Sequence, residues 1–403
     1  MGFAPSIGSS TPSRPSRRSR RSRRSNRSRR SKSVALGGVM GIAAMALAAI
    51  PAGAIMSPGS LFVGPHTTVS EIGSTVPSNG DVNPYGVAVV SRSQGTEVAG
   101  DVLVSNFNSG PGPAGLQGLG TTIVQLDPNA APDATPQVFA QIDPAHLPGA
   151  CPGGVGLTTA LAILPGGWVV VGSLPTSNGT TISGAGCLLV LDNAGHVVET
   201  FSGGPINGPW DLTTLSVGRV SELFFTNVLN GTVAAAGSPV NGGTVVRAVL
   251  RTPQFGPPDL VTTTVIGSGF PEELNSAALV IGPTGVALGR NDASLLVADT
   301  LDNRIAEIPF PAIRLHSAGV GTPLSTGGDL NGPLGLATAP DGNLLAANGG
   351  DGNLVEISPS GVQLGEKIIS PGGAGALFGL AVSGNSRALY FVDDSENQLN
   401  VLR

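Results

Sequence analysis

The sequence predicts an all-β fold, a six-bladed β-propeller whose ring is closed by an N-terminal strand. Three observations carry this. A phrase of three short apolar strands separated by turn residues recurs six times along residues 83–403. The copies are spaced by roughly 40–50 residues, the period of a propeller blade. The last copy stops after its third strand, while a spare stretch of strand composition, Thr67-Thr68-Val69-Ser70-Glu71-Ile72, precedes the first. That stretch supplies the missing outer strand and removes the exposed edges that invite aggregation.

The elements follow in chain order. Residues 1–33 are a basic Arg/Ser-rich segment with nothing apolar to bury, expected to be disordered. Val34 to Ile50 is an uncharged apolar run, broken by Pro51 and followed by the small residues Ala52-Gly53-Ala54. Basic region, apolar core and small-residue cleavage site are the order of a secretory signal, so 34–54 is read as a signal peptide, with an uncleaved membrane anchor as the alternative. The protein is expected to be secreted, periplasmic or at the cell surface. Residues 58–403 are then one propeller domain.

Its first repeat runs from Asn83-Pro84-Tyr85-Gly86-Val87 through Val102–Asn106 to Thr122–Leu126, and its second through Thr159–Ile163, Trp168–Gly172 and Leu188–Asp192. The third holds Pro209-Trp210-Asp211, Leu223–Asn227 and Thr244–Val246. The fourth holds Pro283–Ala287, Leu296–Asp299 and Asn303-Arg304-Ile305, and the fifth Pro333–Ala337, Leu344–Asn348 and Asn353–Ile357. The sixth holds Phe378–Val382, Leu389–Asp393 and Leu399–Leu402. The strands read as continuous apolar runs, which suits blades buried on both faces. Residues 108–119, 127–155 and 233–243 are expected to be loops, and Pro271-Glu272-Glu273 to start a short helix within 267–280.

The net charge of −5 conceals two opposite halves. Residues 1–57 carry eleven of the 21 Lys and Arg and no acid, which leaves 10 − 26 = −16 for the remainder. An acidic globular part lacks the basic footprint that nucleic acid requires, and it suits cationic ligands or Ca²⁺. The two cysteines, Cys151 and Cys187, flank the second repeat and are expected to pair in an oxidising compartment; two buried free thiols are the alternative.

Propeller connectivity brings two rings of residues to one mouth. The residue at the start of each inner strand gives Tyr85, Thr159, Trp210, Thr284, Leu334 and Phe378; the residue ending each second strand gives Asn106, Gly172, Asn227, Asp299, Asn348 and Asp393. Tyr85, Trp210 and Phe378 concentrate aromatics at one repeat position in a chain that is 4% aromatic. With Asn106, Asn227, Asp299, Asn348 and Asp393 they are the expected ligand-binding residues, an aromatic wall over amide and carboxylate oxygens suited to a small polar ligand, a glycan or a peptide. The bland alternative is that these Asn and Asp bond the turn backbone and the aromatics wedge between blades. No cofactor is expected, although an oxygen-rich ring also suits Ca²⁺. No catalytic residue stands out: His66, His146, His196 and His316 share no spacing, and no Gly-x-Ser-x-Gly elbow or phosphate loop occurs.

The phrase Pro-x-Gly-Val/Leu-Ala, Leu-Val-Ala-Asp, Asn-Arg-Ile resembles the NHL repeat, most closely at Pro283 to Ile305 and across most of residues 83–403. That resemblance implies a six-bladed propeller like those of exported bacterial NHL-repeat proteins. Such folds include binding modules, lactonases and an amidating lyase, so fold does not choose among them. The expected function is an exported, monomeric binding module with its ligand at one mouth of the central channel. The alternative is a Ca²⁺-dependent hydrolase of the lactonase type. A membrane is engaged only through an uncleaved N-terminus.

Overall fold

The computed structural model describes residues 61–110 and 115–403. The basic tract and the apolar run read as a signal peptide lie outside the described residues. Among those described, no helix is long and apolar enough to cross a membrane.

The strands form six antiparallel sheets. Blade one is Val82–Val89, Val102–Asn108, Thr122–Leu126 and Gln137–Gln141. Blade two is Leu157–Leu164, Trp168–Ser173, Cys187–Leu191 and Val197–Phe201. Blade three is Pro209–Val217, Val220–Asn227, Val240–Arg251 and Asp259–Asn275, with a fifth short strand, Leu279–Ile281. Blade four is Pro283–Leu288, Ser294–Asp299, Arg304–Pro309 and Thr322–Thr326. Blade five is Pro333–Thr338, Leu344–Asn348, Asn353–Ile357 and Gln363–Ile368. Blade six is Leu377–Val382, Leu389–Asp393, Gln398–Leu402 and, from the N-terminal side, Val69–Ser74. Each inner strand touches the inner strands of both neighbouring blades, and that of blade one touches that of blade six, so the six sheets close a ring. This is a six-bladed β-propeller.

The apolar runs form strands because both faces of each middle strand are covered. Every residue of Val102–Asn108 and of Cys187–Leu191 is buried. The cores therefore lie between blades: Leu103 and Ile123 of blade one pack with Leu161, Leu189 and Val169 of blade two. Closure is as the spare strand suggests, with Val69 opposite Leu402 and Ser74 opposite Gln398. Thr68 and Arg403 exchange both backbone hydrogen bonds at 3.0 and 2.9 Å.

All six inner strands break register just after they start, for example between Pro283 and Val286 and between Pro333 and Leu336. The break turns the starting residue toward the axis, and a glycine usually follows it. A Cβ on Gly285 would fall 1.9 Å from the Leu334 carbonyl oxygen, and one on Gly335 2.1 Å from that of Phe378. Glycine at this position lets adjacent inner strands touch backbone to backbone.

Several expected loops and one expected helix differ. Gln137–Gln141, within the expected loop 127–155, is the outer strand of blade one. Thr232–Ala235 is a single helical turn, and the strand after it begins at Val240, inside the expected loop 233–243. Pro271-Glu272-Glu273 starts no helix: Asp259–Asn275 runs through as one long strand that pairs with Val240–Arg251 and then Leu279–Ile281. The partner strand continues past the end of the second strand to pair Val240 with Glu272 and Gly243 with Phe270, and Pro271 sits at the bulge between those pairs, so the ladder outweighs the local helix-start composition.

The disulfide forms between Cys151 and Cys187. It ties the connection from blade one to blade two to the start of blade two's third strand.

Candidate functional site at the mouth

Antiparallel alternation puts the start of every inner strand and the end of every second strand on one face of the disc. Four of the six residues expected at the inner-strand starts, Tyr85, Trp210, Leu334 and Phe378, share one buried cluster. Tyr85 stacks on Phe378 at 4.2 Å between ring centroids, and Trp210 lies 6.1 Å from Tyr85 and 6.5 Å from Phe378. Phe107, which the sequence did not single out, stacks on Tyr85 at 4.8 Å. Tyr85, Trp210 and Phe378 are only 3%, 3% and 4% exposed, so they fill the axis rather than line an open cup.

What covers them comes from blades one to three. The loop after blade one's second strand reaches the turn beyond blade three's outer strand: Gln117 Nε2 donates to the carbonyls of Ser276 and Ala277 at 3.2 and 3.1 Å. The same loop lies on blade two, where Thr176 Oγ1 donates to the Gln117 carbonyl at 2.5 Å. Underneath, Leu174, Val228, Leu229, Leu279 and Val280 pack with the aromatics. The Trp210 indole N–H donates to the Val280 carbonyl at 3.1 Å, which satisfies its buried donor. Leu229 and Leu279 hold left-handed backbone, φ 72° and 64°, a strained state for a large side chain.

The second ring mostly bonds nearby backbone and side chains, although Asn106 Oδ1 and Asp299 Oδ1 are buried with no hydrogen-bond partner. Asn227 Oδ1 accepts the backbone N–H groups of Asn207 and Gly208 at 2.8 and 2.9 Å. Asn348 Oδ1 accepts that of Asn331 at 3.0 Å while its Nδ2 donates to the Asp329 carbonyl at 2.8 Å. Asn106 Nδ2 donates to the Thr75 carbonyl at 2.9 Å. Asp299 takes Arg304 at 2.7 Å, and Asp393 accepts the hydroxyls of Ser370 and Ser395, each at 2.6 Å. Each side chain stitches its second strand to a neighbouring turn at the mouth.

The side of the mouth formed by blades four to six carries the short turns 300–303, 349–352 and 394–397 and the connections 327–332 and 369–376. There the structure gathers groups that the sequence reading passed over. Asn83, at φ 65°, donates from Nδ2 to Asp394, and its backbone N–H donates to Asn397 Oδ1 at 2.7 Å. The Asn83 Oδ1 is buried with no hydrogen-bond partner. Burial pushes the Asp394 carboxyl up to about 7, with the Asn83 hydrogen bond opposing and the Asp393 charge adding to the rise. Burial and then the Asp394 charge hold the Tyr85 phenol well above its ordinary value. Asp394 thus titrates near neutrality at the rim beside a phenol and two amides. Its one sequence signal was the doubled Asp393-Asp394, since no other blade ends its second strand on two acids.

The field at this mouth is acidic. Asp302, Asp329, Asp351, Asp393, Asp394 and Glu396 lie on its turns, and the cations toward this face are Arg304, already paired with Asp299, and Lys367. Among the described residues, no three His, Cys, Asp or Glu side chains are grouped to hold a metal.

No protein-family model matches the chain. No curated protein matches it. Solved structures do. A gluconolactonase from Xanthomonas campestris is 15% identical over 80% of this chain and 86% of its own, with a TM-score of 0.47. A streptogramin B lyase is 16% identical over 83% and 97%, also at 0.47. A virginiamycin B lyase from Staphylococcus aureus is 17% identical over 83% and 85%, at 0.44.

Proposed function

We propose that this chain is an exported propeller, of the NHL-like kind its repeat phrase resembles, that binds a small polar ligand carrying a positive charge at the open side of its mouth. A short basic peptide or an amine-bearing small molecule has this chemistry. One observation carries the reading: Asp394, a rim carboxyl raised toward neutrality, faces Tyr85 and Asn83 in an acidic field, next to a buried amide oxygen with no partner. A cation placed there pairs with Asp394 and satisfies that oxygen, and a buried polar group left unsatisfied is costly. The apolar axial cluster forms a rigid floor. Export is supported by the order of basic segment, apolar core and small residues at the N-terminus, and by the disulfide.

The test is calorimetry on the full chain with lysine- and arginine-containing tripeptides, linear diamines and neutral disaccharides, each with and without Ca²⁺. Cationic probes should bind and disaccharides should not. Asp394→Asn should weaken binding about tenfold, the loss of one charge-assisted hydrogen bond at a partly solvated site. Binding unchanged in Asp394→Asn refutes the assignment of the site. Ca²⁺-dependent turnover of a lactone panel would replace it with the hydrolase reading.

A further inference from the structure

We propose that the face opposite the mouth docks on an anionic lipid surface through the loop tips of blades three and four. The argument starts from connectivity. Hairpins joining first to second strands, and third to fourth strands, all turn on that face. In blade three these turns carry Val217, 75% exposed, and Phe255, 86% exposed; in blade four they carry Phe310, Ile313 and Leu315, exposed by 63%, 75% and 73%. Among the described residues, nothing covers these large apolar side chains.

The two sets of tips are held together. Residues 310–320 of blade four lean onto blade three: Arg247 donates to the carbonyls of Pro311 and Ala312, at 3.2 Å for Pro311, and Leu215 packs in one cluster with Ala312, Ala318 and Val320. Leu215 lies two residues before Val217. The apolar tips therefore form one neighbourhood.

Cations surround them. Arg219 and Arg251 are exposed at the blade-three turns, Arg290 is exposed on the neighbouring hairpin of blade four, and Arg314 stands between Ile313 and Leu315. The exposed acids there are Asp259 and Asp292. This inverts the acidic balance of the mouth. Aromatic and aliphatic tips flanked by Arg match an acyl boundary beneath anionic headgroups, where the apolar groups bury and the guanidinium groups meet phosphate.

The path of the chain agrees. Leu61–His66 also lies on this face, between blades five and six. The backbone N–H groups of Phe62 and Val63 bond the Glu356 carboxylate at 2.7 and 2.8 Å, and His66 Nε2 bonds the Arg387 carbonyl at 2.9 Å. The described chain thus begins on the face that carries the apolar tips. Docking there points the mouth away from the lipid.

The test uses the full chain and vesicles of phosphatidylglycerol with phosphatidylcholine, or of phosphatidylcholine alone, with part of the lipid brominated. Phe255→Trp and Ile313→Trp place probes at the tips, and Ala374→Trp places one on the mouth side; wild-type protein gives the background of Trp168 and Trp210. The tip probes should be quenched by brominated lipid in anionic vesicles, and the Ala374→Trp probe should not. A triple Arg219→Glu, Arg251→Glu, Arg290→Glu variant should lose at least tenfold in the tip quenching per unit anionic lipid. Tip probes that stay unquenched, or quenching equal at 255 and 374, overturn the proposal. So does sedimentation showing a dimer that the Phe255→Ser, Ile313→Ser pair dissolves, since the face would then meet a second copy of the chain.

Discussion

Asp211 stands where blades one, four, five and six place glycine after the register break. Its carboxylate accepts the Val286 backbone N–H of the next blade at 3.0 Å, replacing a backbone contact with a side-chain one. Burial pushes its pKa up to about 7, with its backbone hydrogen bonds opposing. The folded value lies above the ordinary 3.8, so the folded state holds the proton more tightly than the unfolded chain. That contribution is complete below the unfolded value and is lost as pH rises through about 7. Glu272 and Asp394 are raised to about 7 by burial and act in the same direction. The melting temperature should therefore fall from about pH 5 to about pH 8, and Asp211→Asn, which keeps the acceptor oxygen, should make that slope shallower. A melting temperature that climbs across the same window would falsify this. The repeat phrase put Tyr85, Trp210 and Phe378 at one repeat position, and the three rings lie together, because connectivity alone sets that position. It did not tell their exposure, because the cover over Tyr85, Trp210 and Phe378 comes from irregular loops with no repeat signal. Trp210→Ala should accordingly cost about 3–5 kcal/mol of stability by denaturant titration, as expected of a truncated core aromatic.

At the scale of elements, the closing strand was legible because a repeat with a missing strand asks for one. The latch before it was not. Leu61–His66 is irregular, and what fixes it is one residue far along the chain: Glu356, fully buried, takes the Phe62 and Val63 N–H groups and the Asn343 side chain, each within 2.8 Å. Phe62, also fully buried, fills the space between Leu345 and Leu354 of blade five and Leu389 and Phe391 of blade six. Phe62→Ala should cost about 3–5 kcal/mol, and Glu356→Ala about 2–3 kcal/mol from its charge-assisted bonds. Both changes release the same segment, so the double variant should lose clearly less than the sum. Full additivity in urea titrations would show that Glu356 and Phe62 act separately. The long strand of blade three failed to read as a strand for a related reason: Glu272 looked like a helix-start acid, whereas it accepts the Asn230 N–H at 2.7 Å, a partner no local pattern announces. The disulfide spans 36 residues, and reducing it should lower stability by about 3–4 kcal/mol in the chain-entropy account.

The propeller is a ring held in two ways. Five junctions between blades are crossed by continuous chain, and the sixth, between blades six and one, is crossed by the segment that follows Val69–Ser74. That strand is hydrogen-bonded to blade six and covalently joined to blade one, so neither blade can leave without breaking a ladder. A circular permutant separates the two effects. Thr68 and Arg403 already pair, so a linker of about ten flexible residues joins Arg403 to Leu61 without strain. If the new ends are cut within residues 75–81, every blade becomes a run of consecutive strands, and the junction of blades six and one keeps only side-by-side packing. If they are cut within 359–361 instead, Gln363–Ile368 becomes the new N-terminal closing strand of blade five, and the device is rebuilt elsewhere in the ring. The first permutant should unfold at a lower urea midpoint and with a smaller dependence on denaturant, because its end blades can fray before the rest. The second should keep the single transition of the native order. Equal midpoints and slopes for both would mean that lateral packing alone holds the ring, and that the N-terminal strand matters only for the edge it covers.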